Sequence, residues 1–247
     1  MAAQKPYLSV VIPTHNEAKR LPLTLVDIDR HLSKSKHTYE ILVVDSGSTD
    51  GTFDIASKFT KMISNLKVLE VSRSVGIGGA LKKGILQATG KYKLFMEADN
   101  STTIDHFEKM QSLLRDGCKV VVGARYMKES KLKPSKNIIR SIVDGLGNLF
   151  IQILLMPGAR DTQCGFKCFN ADIADEVFKL QRSKGWAFNI EILVLSKRLG
   201  YKMGEIPVSW VNNPGSRESF TGYLYIFIEI FKVRWWLWRD SYGIKRK

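Results

Sequence analysis

Glu97 and Asp99 stand one residue apart at the end of the apolar run Tyr92-Lys93-Leu94-Phe95-Met96. Carboxylates are costly in an apolar interior unless paired or bound to metal. At the exit of a strand such a pair can hold a divalent cation and, through it, phosphate oxygens. The plainer alternative is an acidic turn entering a helix. A second run, Tyr39-Glu40-Ile41-Leu42-Val43-Val44, ends in Asp45-Ser46-Gly47-Ser48-Thr49-Asp50-Gly51. Asp45 is either a ligand-binding acid or a turn aspartate bonded to its own backbone. Gly76-Ile77-Gly78-Gly79 opens a helical stretch, where backbone N–H groups can meet phosphate. Leu81 stands where a dinucleotide fingerprint needs its third glycine, so close packing of that helix is the competing reading.

The elements that must position these residues alternate. Leu8 to Ile12, Tyr39 to Val44, Leu66 to Val71, Tyr92 to Met96 and Cys118 to Val122 read as strands. Pro13 is expected to end the first. Between them, helical spacing runs through Glu17–Ser33, through Phe53–Phe59 capped by Asp50 or Thr52, and through Gly78–Thr89 and Thr103–Arg115. This alternation predicts an α/β fold, a mostly parallel sheet flanked by helices, with ligands at the carboxyl ends of the strands. Both carboxylate runs fall there.

The second half differs. Residues 125–140 hold six basic side chains against Glu129, with Pro134 inside, and read as a mobile basic loop. Ile138 to Met156 is apolar and helical. Asp161 to Phe169 is an irregular turn leading into a strand, Ala187 to Leu199 a helix and Glu205 to Trp210 a strand. Phe220 to Trp238 carries eight aromatic residues. It is either an interfacial helix, with Trp235, Trp236 and Trp238 at headgroup depth, or a buried or oligomer-forming one.

The 247 residues include 38 basic and 24 acidic side chains, a formal net charge of +14 that favours anionic partners. An apolar content of 44% suits a globular core. Three cysteines (Cys118, Cys164, Cys168) form no disulfide framework and no zinc-type pair of Cys/His pairs. Met1 to Pro6 lacks the apolar core of a signal peptide. No run reaches the roughly 20 apolar residues that span a bilayer. No nucleic-acid module is recognisable.

Val11-Ile12-Pro13-Thr14-His15-Asn16-Glu17, the Asp45–Thr52 loop, Glu97-Ala98-Asp99, Arg160-Asp161-Thr162-Gln163-Cys164-Gly165-Phe166-Lys167 and Trp186-Ala187-Phe188-Asn189-Ile190-Glu191 follow one another in colinear order. Together, from about residue 7 to 210, they resemble the family 2 glycosyltransferases of GT-A fold. Within these the chain is most similar to the polyprenyl-phosphate enzymes that make dolichyl-phosphate glucose or mannose. The resemblance implies inverting transfer of a hexose from a nucleotide sugar, UDP-glucose first and GDP-mannose second, to a dolichyl or undecaprenyl phosphate. It implies a peripheral enzyme on the cytoplasmic face of a membrane, a GT-A domain over residues 1–215 and a membrane-surface helix in residues 216–247.

The same resemblance assigns roles. Pro13, His15, Glu17 and Asp45 would line the nucleotide pocket, although Glu17 equally suits a first-turn helix acid. Gly76, Glu97, Ala98, Asp99, Arg125 and Arg140 would meet the donor. Asp99, with Glu97, would ligate Mg²⁺ or Mn²⁺; Glu97 instead reaches through water or contacts the sugar. Ser46 and Asn189 replace usual aspartates. Asp161 would act near the acceptor, as a base, an orienting group or a turn aspartate. Gln163, Trp186 and Glu191 would shape the acceptor side, with Trp186 alternatively in the core. Lys83 is expected in solvent, and Lys128, Lys131, Lys133 and Lys136 in solvent or facing a membrane. The rival functions are a transferase for a soluble glycan or polysaccharide, and a non-catalytic nucleotide-sugar-binding protein.

Overall fold

A computed structural model describes residues 5–133, 150–159, 161–211 and 220–244. Arg140, Lys136 and most of the apolar 138–156 stretch therefore lie outside the described residues. Seven strands form one sheet: β1 Leu8–Thr14, β2 Tyr39–Asp45, β3 Leu66–Glu70, β4 Tyr92–Met96, β5 Val120–Ala124, β7 Phe166–Asn170 and β8 Met203–Pro207. Their spatial order is β3-β2-β1-β4-β7-β5-β8. Every pairing is parallel except those of β7, which runs antiparallel between β4 and β5. A two-stranded parallel sheet joins β6 Lys131–Lys133 to β9 Ser209–Val211, so part of the expected basic loop is a strand.

Strand side chains alternate between two apolar layers, as a period of two requires. Leu8, Val10 and Ile12 face α1 Leu21–Leu32, α2 Thr52–Phe59 and α4 Phe107–Arg115. Val11 and Val44 face α3 Gly76–Gln87, α5 Ala171–Leu180 and α6 Phe188–Arg198. A Cβ on Gly84 of α3 would stand 2.5 Å from Val11 Cγ1 and 2.7 Å from Val44 Cγ2, so the glycine lets α3 lie flat on the sheet.

Several boundaries differ from the sequence expectation: the 205–210 strand divides into β8 and β9, α4 begins at Phe107 rather than Thr103, β5 runs to Ala124, and two more differences bear on the rim. β1 continues through Pro13 to Thr14. Thr14 O accepts from Ser46 N, so Thr14 faces β2 and Pro13 faces the side of β4. β4 has ended by then, its pairing with β1 closing at Val11 and Phe95. The missing proline N–H thus costs no ladder bond. α1 begins at Leu21 rather than Glu17, because Asn16 adopts φ 58° and residues 15–20 form a loop entering the helix at Pro22.

α7 Phe220–Trp238 packs against the second layer through Ile230, Val233 and Leu237. Its Glu229 carboxylate accepts from the backbone N–H groups of Gly185 (3.2 Å) and Ala187 (3.1 Å), at the entrance to α6. Tyr225, Ile228, Phe231, Trp235 and Trp238 remain exposed. The helix carries apolar residues nearly all round because one face meets the core and another meets the outside. No helix among the described residues is long and apolar enough to cross a membrane.

Candidate active site

The carboxyl ends of β1, β2, β4 and β5 open on one rim, and the antiparallel β7 begins there. Loops after β1 and β2 are knitted together. Ser48 Oγ accepts from Asn16 N at 2.8 Å, Thr52 Oγ1 from Glu17 N at 2.8 Å, and Asn16 Oδ1 from Thr49 N at 2.8 Å. Asp45 is 1% exposed and serves this turn. Its oxygens accept from Thr14 Oγ1 (3.0 Å), Ser48 Oγ (2.5 Å) and Ser48 N (2.9 Å). The turn alternative is what these bonds carry. Ser46 donates its hydroxyl to Thr14 O, and His15 donates Nδ1–H to Ser46 O at 3.0 Å.

At the exit of β4 the carbonyl of Ala98 is tied to α1 by Thr24 Oγ1 at 2.7 Å. This fixes the backbone between the two acids. Asp99 Oδ1 accepts from Ser101 N (2.9 Å) and Ser101 Oγ (2.6 Å). Asp99 Oδ2 faces Arg20 Nη1 at 3.5 Å, and Arg20 grips Glu17 through Nε (2.6 Å) and Nη2 (2.5 Å). Burial pushes the Glu17 carboxyl upward against the pull of Arg20, with Asp99 adding to the rise. Glu97 lies along the backbone of Gly165, where a Cβ would come within 2.3 Å of its Cγ and Cδ. Only glycine permits that approach.

The donor set suits a divalent cation that brings its own ligands. Among the described residues no cluster of three or more His, Cys, Asp or Glu could hold a metal ion. Mg²⁺-type sites need one or two carboxylates, with phosphates and water completing the shell. Asp99 and Glu97 supply that number. Asn100 Oδ1, one residue on, is buried without a hydrogen-bond partner. The Arg20 guanidinium faces Asp99 from the loop before α1.

Asp161 is built differently. It is 2% exposed and accepts from Arg125 Nε (2.7 Å), Nη2 (3.1 Å) and N (2.9 Å), and from Gln163 N (3.1 Å) and Cys164 N (3.2 Å). Burial alone would raise its carboxyl, but Arg125 and these N–H groups hold it below the usual range. Arg125 lies over the rings of Tyr126 (5.5 Å) and Trp210 (5.6 Å). The Asp161 carboxylate is thus engaged by the fold, which speaks for its orienting or turn alternative over the base, and the Arg125 guanidinium is paired with it at this rim.

Two further expectations change. Gly78 N donates to Lys184 O at 2.8 Å, and a Cβ on Gly76 would stand 2.4 Å from that oxygen. The start of α3 thus receives the chain's own carbonyl instead of a donor phosphate. Gly76 is glycine for that contact and for its φ of 66°. Glu191 is fully buried, accepting from Arg182 N (2.9 Å), Ser183 N (2.8 Å) and Tyr242 Oη (2.7 Å), so it braces the 182–187 loop and does not open toward an acceptor. Trp186 on that loop is 49% exposed, which removes its core alternative. Gln163 stays half-buried at the rim beside Asp161, and Lys83 is exposed as expected. Cys118, Cys164 and Cys168 are buried free thiols.

Sequence reasoning missed Arg20 and Lys167. Arg20 carried a faint signal, a cation three residues after Glu17. Lys167 is fully buried in β7, donating to Cys164 O (2.5 Å) and Asn189 Oδ1 (2.6 Å). Burial pushes its ammonium down to about 8, against the pull of Cys164, Asp161 and Glu97.

The model of the glycosyl transferase family 2 matches residues 9–178, a span that takes in Glu17, Asp45, Glu97, Asp99 and Asp161. The chain belongs to glycosyl transferase family 2. This glycosyltransferase is 32% identical over 241 residues to the dolichyl-phosphate beta-glucosyltransferase of Dictyostelium discoideum, covering 92% of this chain and 74% of that one. To the human protein of the same name it is 31% identical, covering 85% and 69%. The fold is similar to glucosyl-3-phosphoglycerate synthase from Mycobacterium tuberculosis, solved in complex with Mn²⁺, uridine diphosphate and glucosyl-3-phosphoglycerate. The TM-score is 0.67 at 18% identity, covering 92% of this chain and 78% of that one. The architecture is the GT-A arrangement expected from the sequence.

Proposed function

We propose that this family 2 glycosyltransferase transfers glucose from UDP-glucose to dolichyl phosphate with inversion at the anomeric carbon. The observation carrying the reading is Asp99. It is a partly exposed carboxylate on the carboxyl rim of the sheet, facing a cation, in a chain whose relatives bear that activity in their names. Glu97 and Asp99 would hold Mg²⁺ or Mn²⁺ with the donor diphosphate. The cation's contribution is to offset charge gathering on the departing diphosphate. The knitted loops after β1 and β2, with His15 and Pro13, form the wall against which the nucleoside would lie.

No side-chain base is required. A phosphate monoester has a second pKa of about 6, so at neutral pH the acceptor oxygen already bears charge. That agrees with Asp161 being fully engaged by five donors. Asp161 and Arg125 instead hold the entry to β7, and with it Gly165 against Glu97. Proximity and fixed electrostatics would supply most of the rate.

The acceptor lipid places the reaction at a membrane, and α7 supplies a matching surface. Ile228, Phe231, Trp235 and Trp238 lie three and four residues apart on its exposed face, beside Lys232 and Arg234. Arg239 covers the Trp235 ring at 4.7 Å. Tryptophan with flanking basic residues suits the headgroup layer of an anionic bilayer.

The test is a panel of UDP-glucose, GDP-mannose and UDP-N-acetylglucosamine with dolichyl or undecaprenyl phosphate in phosphatidylserine-containing vesicles, with Mg²⁺ or Mn²⁺. Lipid-linked glucose from UDP-glucose is expected, with the protein sedimenting with the vesicles and Trp235→Ala/Trp238→Ala weakening that by several-fold. Product from GDP-mannose alone, or transfer that needs no lipid, would overturn the assignment.

A further inference from the structure

Arg20 immediately precedes α1, and nothing in the helix requires a cation there, since a helix N-terminus favours negative charge. Its position is decided by acids. Glu17 holds two of its nitrogens at 2.6 and 2.5 Å, and the third, Nη1, is turned toward Asp99 Oδ2 at 3.5 Å. The two contacts are unequal. The grip on Glu17 is a bidentate fork, whereas the gap to Asp99 exceeds a normal hydrogen bond. The guanidinium is therefore pinned by Glu17 and set in front of Asp99. Arg20 is 24% and Asp99 17% exposed at their side chains, so the space between them is reached by solvent.

We propose that Arg20 is a resident placeholder cation for the donor site. With no donor present it neutralises Asp99 and Glu17, which would otherwise repel across a small gap. When the divalent cation and the nucleotide diphosphate enter, Asp99 passes from Arg20 to the metal. Arg20, still anchored by Glu17, turns Nη1 to a diphosphate oxygen. This inference rests on the assignment of Asp99 to the donor diphosphate. It adds a residue that lowers affinity for the bare metal and raises affinity for the metal with its nucleotide, so the two load together.

The test is Mn²⁺ binding by electron paramagnetic resonance on the full-length chain, first with Mn²⁺ alone and then with Mn²⁺ and UDP. Arg20→Gln should bind Mn²⁺ alone about 3–10-fold more tightly, the size expected for removing one part-exposed competing charge. It should bind UDP in the presence of Mn²⁺ several-fold more weakly. Arg20→Lys keeps the charge without the fork and should fall between; it carries the test if Arg20→Gln melts early. Bare-metal affinity that is unchanged, lower or undetectable in both variants overturns the inference. A merely structural arginine would shift only the melting temperature. Since the Mn²⁺ arm needs no sugar transfer, its failure with active wild-type enzyme sinks the placeholder role alone. Its success with an inactive wild type would instead count against the proposed reaction.

Discussion

Arg125 and Asp161 meet through two side-chain contacts at 2.7 and 3.1 Å with the carboxylate side chain 1% exposed, whereas Arg20 and Asp99 face each other across 3.5 Å at the solvent edge. Both couples stand on the same rim, and both join an arginine to an aspartate far away in sequence. The first spends every lone pair of its acid on the protein. The second leaves an oxygen facing a cation that is held elsewhere. An acid saturated by the fold can only support a site; an acid whose counter-ion is anchored by another residue can exchange partners. On that ground Asp99 rather than Asp161 is the acid proposed to meet the donor, although Asp161 has the more perturbed surroundings.

The contrast is broken most directly at Asp161. Asp161→Asn leaves Arg125 buried and half-paired, and should cost about 3–5 kcal/mol of stability in urea unfolding. Because the folded carboxyl titrates below its usual range, its contribution is present above about pH 4 and is lost as the pH falls below it. A loss under about 1 kcal/mol would place Asp161 among the exchangeable acids. Asp99→Asn should do the reverse. Turnover should drop by about 10²–10³-fold, the scale of one fixed electrostatic contact. The urea midpoint should stay nearly constant, since the pair is exposed and loose. Loss of folding together with activity would make Asp99 structural too.

The smallest effect sharpens the comparison with a third cation. Lys167 is as buried as Asp161 but has the neutral partner Asn189. Its folded value of about 8 lies below the ordinary 10.5, so the unfolded chain binds the extra proton between those values. Stability should therefore rise with pH from 7 to 10, by on the order of 2 kcal/mol. Asn189→Asp gives the ammonium a charged partner and should flatten that rise. A slope unchanged by the substitution would show that Lys167 is not its source.

Much of the donor half was legible because it is local. Tyr92 to Met96 is the observed β4 to the residue, since an apolar run bounded by Gly90 and Glu97 leaves little choice of period or length. Gly51 holds the cap position of α2 rather than Asp50 or Thr52, but the Asp50 carboxylate serves the same turn, accepting from Thr52 N at 3.1 Å, because an aspartate two residues ahead of a helical amide needs no distant partner. The basic segment and Gly76 misled for one shared reason. Lys131–Lys133 becomes a strand only because Ser209–Val211 lies alongside. The start of α3 resembles an open anion site until Lys184 O, from another part of the chain, fills it.

The sequence by itself determined the alternation of strands and helices, the acids at the strand exits and, through five motifs in order, membership of the family. Periodicity and turn chemistry act over a few residues, so they can be read along the chain. The tertiary structure alone decided which acids are available. It inserted β7 antiparallel between β4 and β5, sealed Asp161 with Arg125, and set Gly165 against Glu97 and Arg20 before Asp99. Whether a carboxylate is spent or exchangeable depends on donors brought from distant segments, and no local pattern records where those segments meet.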